Sequence, residues 1–222
     1  MFNNRVFVTA CRQPGRPKDQ AKRSAVILAA RALFFSRGFG ATSIEAIAEA
    51  AGVSKVTVYG HFGDKAGVFE AVVQNVAGRM EAEIQATAPP GVNLSDTLIA
   101  FGCGLMGELM NEDMTLFERH MGGELAQHPA LAKRFFDAGP GHMRARLEKT
   151  ISTAHERGEI AVDDPRLAAH DLFGLWQGFD RAEAHFGVAQ ILSPKALKTR
   201  VTRAVKLFLK AHARNAHSNY PV

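Results

Sequence analysis

The feature that most constrains the fold of this chain is residues 42–65, TSIEAIAEAAGVSKVTVYGHFGDK, which contain one helix-start signal after another. Thr42 and Glu45 have the spacing of a capping box, in which a hydroxyl and a carboxylate satisfy free backbone N–H groups at a helix start. Gly52 follows the last turn of that helix, where glycine adopts a left-handed conformation at least cost. The first half of the segment is therefore predicted to form a short helix that ends at a tight turn.

A second and a third helix are predicted directly after this turn. Ser54 is a favourable N-cap for a helix over residues 55–61. Asp64 has the same role for a helix that begins at Lys65, and a helix N-terminus that carries a lysine is a favourable place for a phosphate. The segment thus predicts two short helices joined by a turn, with a third helix immediately behind them.

The polar side chains of the 55–61 helix favour contact with DNA over plain exposure to solvent. Lys55 can donate to guanine or to phosphate, and Thr57 offers a hydroxyl and a methyl group, so we predict these two nearest the base edges. Phenol and imidazole groups can reach phosphate oxygens. We assign phosphate contacts to Thr42, Tyr59, His61 and Lys65, and the full predicted DNA-binding set is Thr42, Ser54, Lys55, Thr57, Tyr59, His61 and Lys65.

The same segment resembles the DNA-binding core of the tetracycline-repressor (TetR) family of transcriptional regulators. That family typically has a Thr-led helix, then Ala-Gly-Val-Ser, then Tyr-x-His-Phe-x-(Asp/Ser)-Lys, and the two later motifs occur here at residues 51–54 and 59–65. The resemblance extends over residues 22–75. One position that varies freely in the family is Gly60 here, which gives a DNA groove no side chain.

Basic charge is concentrated in the same part of the chain. Residues 1–65 contain ten Lys/Arg and four Asp/Glu, a net charge of +6, whereas the whole chain has 27 and 22. The remainder, with seventeen basic and eighteen acidic residues, has a net charge of −1. This asymmetry is expected when one domain faces phosphates.

Composition and length exclude several classes of protein. The chain has 222 residues, of which 46% are hydrophobic and 22% charged, as in ordinary globular proteins. No apolar run approaches the ~18 residues of a membrane-spanning helix, and residues 1–20 lack the apolar core of a signal peptide. Cys11 and Cys103 are too few for a disulfide framework. We predict a cytoplasmic protein that has reduced thiols and makes no membrane contact.

The remaining pattern is helical, and no strand pattern is found beyond Gly91. Apolar residues at helical spacing predict nine or ten helices in all, so the fold class is all-α. Asp164 and Ser193, each followed by proline, are predicted to cap two of these helices, and the helix after Asp164 is predicted to continue to Phe186. The resemblance to the TetR family implies an N-terminal three-helix DNA-binding domain and a larger C-terminal helical bundle for ligand binding and dimerisation. The predicted boundaries are a basic N-terminal arm over residues 1–18, the DNA-binding domain over 19–65, the C-terminal domain over 66–215 and a tail over 216–222.

Two interpretations of the N-terminal arm remain open. Arg12, Arg16 and Lys18 bracket a Pro-Gly-Arg-Pro run that resembles arms inserted into A·T-rich minor grooves. The other interpretation is a solvated, disordered basic terminus.

The family resemblance implies that the C-terminal bundle encloses a small-molecule pocket and that the last two long helices pair with those of a second subunit. Two-fold symmetry then places two recognition helices one DNA turn apart, on the order of 34 Å, which suits a palindromic operator. Methionine beside aromatic rings adapts to apolar ligands, although the same stripe is expected of a plain core. The candidate ligand-binding residues are Phe101, Met106, Met110, Phe117, Met121, Trp176 and Phe179, with Phe135 and Phe136 as further candidates.

The predicted function is that of a homodimeric repressor released from its operator by a small molecule. A DNA-binding regulator without such a ligand, controlled by a partner or architectural, is an open alternative. An enzyme is a distant one, because the chain lacks Glu-x-x-His pairs, a His-Glu-x-x-His motif, a Gly-x-Ser-x-Gly elbow and a phosphate-binding loop. The nine histidines are scattered singly, so no catalytic residue, metal site or cofactor is predicted.

Overall fold

A computed structural model describes residues 17–87, 91–188 and 192–214 of the chain. Eleven α-helices and no strand occur in these three ranges, which confirms the predicted all-α class. The first helix begins inside the predicted arm, and the rest of that arm and the tail lie outside the described residues. The helices are α1 (Pro17–Arg37), α2 (Ile44–Ala50), α3 (Lys55–Phe62), α4 (Lys65–Thr87), α5 (Leu94–Leu109), α6 (Glu112–Gln127), α7 (Pro129–Ala138), α8 (Pro140–Glu156), α9 (Pro165–Gln177), α10 (Asp180–Phe186) and α11 (Pro194–Ala211).

The N-terminal module consists of α1, α2, α3 and the first turns of α4. Helix α1 packs against α2, α3 and α4, and α2 packs against α3. Each helix contributes apolar residues at helical spacing to a shared buried side, as amphipathic helices do. The most deeply buried of these are Val26, Ala30 and Phe34 of α1, Ile47 of α2, Val58 of α3, and Val68 and Phe69 of α4.

The larger bundle is organised around α4 and α5. Helix α4 continues beyond the N-terminal module to pack against α5 and α7, and α5 packs against α9 and α11. The approach of α5 to α9 and α11 is close at Gly102, where a Cβ atom would lie 2.7 Å from both the Trp176 ring and the Val201 side chain. Trp176 is therefore fully buried, with its ring 6.0 Å from that of Phe101.

The segment predicted as one helix over residues 164–186 is broken in the structure into α9 and α10. Asp164 caps α9 as expected, since its side chain accepts from the backbone N–H groups of Arg166 and Leu167. The break falls at Gly178, which has a φ of +48°. The guanidinium of Arg200 fills the space beside this glycine and donates to the carbonyl of Trp176 at 3.0 Å. A distant arginine thus replaces the next turn of the helix, so the continuous helix was a wrong prediction.

Candidate nucleic-acid interface and internal cavity

The start of α2 differs from the capping box expected at Thr42. The N-cap is Ser43, whose hydroxyl accepts from the N–H of Ala46 at 3.1 Å. Thr42 is only 1% exposed, and its hydroxyl donates to the carbonyl of Gly38 at 2.7 Å. Glu45 forms an ion pair with a residue of α3. Thr42 therefore closes the α1–α2 loop from inside, and its hydroxyl faces no solvent in this conformation.

The start of α3 agrees with the sequence prediction. Ser54 is its N-cap and accepts from the N–H of Thr57 at 3.1 Å. The two hydroxyls of Ser54 and Thr57 also lie within 2.9 Å of each other. Asp64 caps α4 through the N–H of Gly67 at 2.5 Å. These caps fix where α3 begins and where the next helix takes over.

The solvent face of α3 is formed by two pairs of residues. Lys55 and Tyr59 lie one turn apart, and Val56 and Gly60 form a second such pair beside them. Val56 is 80% exposed and Tyr59 50% exposed, both high values for side chains that are mainly apolar. A Cβ atom added at Gly60 would meet nothing within 4 Å. The exposed surface of α3 is therefore narrow, with a cation and a phenol along one side and an aliphatic group beside them.

Val56 is the functional candidate that the sequence interpretation missed. It lies two residues before the buried Val58. On a helix that separation places two side chains on nearly opposite faces. The helical periodicity therefore indicates that Val56 is exposed if Val58 is buried. The residue type gives no such indication, because both residues are valines.

Lys55 does not point freely into solvent. Its Nζ lies 2.6 Å from Glu45 Oε1 of α2, and both side chains are about half exposed. The hydrogen bond from Lys55 lowers the pKa of Glu45 below its ordinary value. This exposed ion pair ties α3 to α2 while leaving the ammonium at the surface, where a DNA phosphate or base is able to compete for it.

His61 and Lys65, both predicted on phosphates, are engaged within the protein. His61 Nε2 lies 3.0 Å from Asp19 Oδ1, which links α3 to the first turn of α1. Lys65 Nζ donates to the carbonyls of Phe39 at 2.8 Å and Thr42 at 3.0 Å.

The surroundings of Lys65 make it a clamp for the α1–α2 loop. Its ammonium lies 4.2 Å from the centre of the Phe39 ring, a cation–π distance. Burial lowers the pKa of Lys65 below its ordinary value, although the nearby Glu124 carboxylate acts in the opposite direction. In this position Lys65 holds the loop that precedes α2.

The C-terminal bundle encloses a cavity of about 490 Å³, a size in the range of small-molecule sites. It is bounded by residues of α1 and of α4 through α10, most of them apolar. The lining residues are Phe35, Val72, Val73, Val76, Ala77, Met80, Leu105, Glu108, Leu109, Met114, Phe117, Glu118, Phe135, Phe136, Gly139, Pro140, Met143, Arg144, Leu147, Ala169, His170, Phe173 and Arg181.

The predicted ligand residues agree with this lining only in part. Phe117 lines the cavity, as do the two further candidates Phe135 and Phe136. Phe179 is 83% exposed on the surface. The remaining predicted residues are buried in the core without lining the cavity: Phe101, Met106, Met110, Met121 and Trp176.

Helix α5 shows why this division was not visible in the sequence. Its Phe101 faces the ring of Trp176, whereas Leu105, Glu108 and Leu109 of the same helix face the cavity. Phe101, Leu105 and Glu108 lie on one face of the helix at successive turns, so periodicity alone does not separate the turn that packs on α9 from the turns that line the cavity.

An aromatic cluster joins the N-terminal module to the cavity. The ring of Phe69 on α4 lies 5.4 Å from the rings of Phe34 and Phe39. The same ring lies 6.0 Å from Phe117 and 5.9 Å from Phe135, both of which line the cavity. These separations are typical of interacting aromatic pairs. The two parts of the protein therefore share a continuous core through Phe69.

Other kinds of site receive no support from the described part of the chain. No group of three or more His, Cys, Asp or Glu residues is arranged there to hold a metal ion. Among the helices of that part, none has both the length and the apolar character needed to cross a membrane.

The structure has two short helices, the second of them exposed, and they are joined to a larger helical bundle. This arrangement is that of a DNA-binding transcriptional regulator. Comparison with known proteins gives its family. The family model described as "Bacterial regulatory proteins, tetR family" matches residues 26–72. The model described as "AefR-like transcriptional repressor, C-terminal domain" matches residues 96–214, more than half of the chain. The chain belongs to the TetR family of DNA-binding transcriptional regulators, which are not enzymes.

Relatives and solved structures agree with this assignment. The uncharacterised HTH-type regulator YdeS of Bacillus subtilis is 27% identical over 67% of this chain and 74% of its own length. The HTH-type repressor BdcR of Escherichia coli is 39% identical, but over 30% of this chain and 34% of its own length.

Two solved structures are similar over nearly the whole chain. A TetR-family regulator from Mesorhizobium loti has a TM-score of 0.74 and 29% identity, covering 89% of this chain and 100% of its own. The flavonoid-responsive regulator FrrA has a TM-score of 0.71 with the same identity and coverage.

Proposed function

We propose that this protein is a homodimeric repressor that binds a palindromic DNA site through α3 and leaves it when a small molecule occupies the cavity. The observation that carries the proposal is that the cavity and the DNA-binding module share two helices. Phe35 of α1 and Val72 and Val76 of α4 line the cavity. Helix α1 also packs against α2 and α3, and α4 packs against α3. A ligand that changes the spacing of α1 and α4 therefore changes how α3 is held.

Helix α6 provides a second connection from the cavity to the DNA-binding module. Its Phe117 lines the cavity, and two turns later its Glu124 accepts from the N–H of Gly40 at 2.8 Å. His120, between them, lies 3.2 Å from the carbonyl of Phe35. A shift of α6 on ligand binding would reach the α1–α2 loop directly through these bonds.

For the DNA contacts we propose base readout by Lys55, Val56 and Thr57. A lysine donates to guanine acceptors, and the methyl groups of valine and threonine suit the methyl group of thymine. Tyr59, at the exposed edge of α3, is assigned to phosphate. Gly60 leaves room for the DNA backbone or a base edge to approach the helix closely.

The remaining predicted residues are proposed to act by positioning the helix-turn-helix. Ser54 fixes the start of α3, and His61 ties α3 to α1 through Asp19. Thr42 and Lys65 both hold the α1–α2 loop from inside. Their loss should weaken binding to every DNA sequence without changing base preference.

The proposed dimer surface lies on α9, α10 and α11. Leu175 of α9 and Leu207 of α11 line the same open groove, and both are more than 40% exposed in the single chain. Phe179 and Phe186 are 83% and 77% exposed nearby in the chain. Apolar groups exposed to this extent on neighbouring helices mark an interaction surface. A four-helix interface between two copies would cover them and place two α3 helices on one face of DNA.

Aromatic compounds are the first ligands to test. FrrA, 29% identical over 89% of this chain, is described as flavonoid-responsive, and the cavity here is lined by five phenylalanines. Phenylalanine rings favour flat aromatic partners through offset or edge-to-face contacts.

The test is binding of purified protein to genomic DNA fragments, including the region upstream of its own gene, across a salt series with random competitor DNA. We expect competitor-resistant binding to a two-fold symmetric site, followed by release when flavonoids are added. Weak binding that is equal for all sequences would contradict the repressor proposal. Specific binding that no small molecule reverses would instead support a regulator controlled by a partner.

A further inference from the structure

The charged groups around the cavity are not equally satisfied. Arg181 of α10 donates to Glu118 of α6, so these two lining residues neutralise each other. Arg144 of α8 lies 3.3 Å from Glu148 and 5.2 Å from the centre of the Phe136 ring. Both cations that line the cavity therefore have a carboxylate nearby, although Arg144 Nε makes no hydrogen bond within the described part of the chain.

Of the two acids that line the cavity, Glu118 is paired with Arg181, whereas Glu108 of α5 has no cation within hydrogen-bond distance among the described residues. Its Oε1 lies 4.0 Å from Arg31 Nη2 and 3.9 Å from Arg79 Nη2, too far for a hydrogen bond. This oxygen is buried and has no hydrogen bond within the described part of the chain. A carboxylate oxygen accepts hydrogen bonds, so this atom is an acceptor without a donor.

The rest of the lining sets the shape and polarity of a ligand. Phe35, Phe117, Phe135, Phe136 and Phe173 come from four different elements and surround the space with ring faces and edges. A cavity of about 490 Å³ has room for a compound of two or three rings. An unpaired hydrogen-bond acceptor in such an apolar site gives its strongest preference to a ligand that carries a matching donor.

We propose that this cavity binds an uncharged aromatic ligand whose hydroxyl group donates a hydrogen bond to the Glu108 carboxylate. Anionic ligands are disfavoured, because each lining cation already has a carboxylate nearby and Glu108 repels a second carboxylate. This inference rests on the proposed ligand-controlled function and adds the chemical class of the effector and the residue that selects it.

The position of Glu108 also gives the ligand a route to the DNA-binding module. Arg31 belongs to α1, and its Nη2 lies 3.6 Å from Asp113 as well as 4.0 Å from Glu108. A hydroxyl bound to Glu108 competes with Arg31 for the same oxygen. The ligand therefore weakens one of the two charged contacts that hold α1 against α5 and α6.

The test uses three matched probes with the full-length protein in the absence of DNA: para-hydroxybiphenyl, para-methoxybiphenyl and biphenyl para-carboxylate. The phenol is uncharged at neutral pH, and the methyl ether retains the rings while losing the donor. By isothermal titration calorimetry we expect the phenol to bind about tenfold more tightly than either of the other two.

Two variants test whether Glu108 causes the preference for the phenol over the ether. In Glu108→Leu the phenol and the ether should bind within about twofold of each other, because the acceptor is gone while the apolar lining remains. Glu83→Leu, which removes an exposed acid of α4 that does not line the cavity, should keep the wild-type ratio. Circular dichroism confirms that each variant is folded.

Several results would overturn the proposal. These are equal affinity of wild-type protein for the phenol and the ether, tightest binding of the carboxylate, no binding of any probe up to its solubility limit, or a preference that survives in Glu108→Leu. The wild-type comparison stands even when a variant fails to fold. Because no DNA is present, failure here is distinguishable from failure of the repressor proposal, which the DNA-binding assay tests.

Discussion

At the scale of single residues, the surface charge of the helix-turn-helix is regulated by pairing within the protein. The Lys55–Glu45 bond places an acid of α2 beside the cation that we assign to base contact. Since the pKa of Glu45 is lowered, this pair is fully present above pH 4.5 and is lost only as the pH falls through the lowered value. At neutral pH Glu45 therefore competes with DNA for Lys55.

Glu45→Gln should consequently strengthen binding to random duplex DNA. Removal of the carboxylate frees Lys55 and deletes one negative charge near the phosphates, so we expect a gain of about two- to fivefold at low salt. The measurement is fluorescence anisotropy across a salt series. Glu49→Gln removes the same charge from the same helix without releasing Lys55, and a gain as large as that of Glu45→Gln would refute competition at Lys55.

The variant Lys65→Met tests whether Lys65 holds the α1–α2 loop within the protein or contacts a DNA phosphate. Loss of the ammonium removes the side-chain donor from the carbonyl of Thr42 and leaves the carbonyl of Phe39 with only the N–H of Thr42, at 3.3 Å. We therefore expect a loss of about 1–3 kcal/mol in the free energy of unfolding. DNA affinity should fall while the slope of log Kd against log salt stays nearly constant. Lys22→Met, on the exposed face of α1, is the control for loss of charge alone.

Urea unfolding and the salt series together decide the role of Lys65. If stability is unchanged and the salt slope drops by about 0.9, Lys65 contacts a phosphate directly. The clamp interpretation would then be wrong, and the contact predicted from the sequence would stand.

At the scale of helices, side-chain caps set the boundaries that matter for function. Ser54 begins α3 and Ser193 begins α11, each through a hydroxyl that accepts from the N–H three residues on, at 3.1 Å and 3.3 Å. The two serines make the same local bond in different parts of the molecule, so they form a matched pair.

Substitution of each serine by alanine should cost about 1 kcal/mol of stability. Only Ser54→Ala should also weaken DNA binding, by about three- to tenfold, because the first turn of α3 carries Lys55, Val56 and Thr57. Thermal unfolding and DNA titration measure the two effects. Equal DNA affinities in the two variants would show that the start of α3 does not control the interface.

At the scale of the whole molecule, the apolar surface on α9, α10 and α11 is proposed to hold the dimer together. Leu175→Glu places a charge on that surface and should convert the dimer to a monomer, with loss of tight binding to the two-fold DNA site. Leu116→Glu is a matched control, because Leu116 on α6 is 42% exposed and Leu175 is 41% exposed. Light scattering coupled to size exclusion measures the mass, and a wild-type mass for Leu175→Glu would argue against this surface.

Phe69 is expected to make the two parts of the protein unfold together. Trp176, the single tryptophan, reports on the C-terminal bundle, whereas circular dichroism reports on all helices. Both signals should follow one transition in urea, since the core is continuous through Phe69. Phe69→Ala should lower stability by about 3–5 kcal/mol. Loss of ellipticity well before the change in fluorescence, in wild-type protein, would contradict a shared core.

The sequence alone determined the helical class, the family and the start of most helices. These properties depend on local chemistry: a serine or aspartate satisfies the N–H groups of the next turn, and glycine or proline interrupts the chain, wherever the helix lies in the fold. The caps at Ser54, Asp64, Asp164 and Ser193 were therefore predicted correctly. The helix-turn-helix was predictable because its residues are close in sequence.

Tertiary structure alone decided which side chains face the cavity and which polar groups are already engaged. Phe117 lines the cavity while Phe101 packs in the core, and His61 is paired with Asp19, forty-two residues away in the chain. The break at Gly178 likewise depends on Arg200 of another helix. Helical periodicity gives the direction of a side chain around its own axis, but its neighbours are set by the rotation and spacing of helices that are distant in sequence.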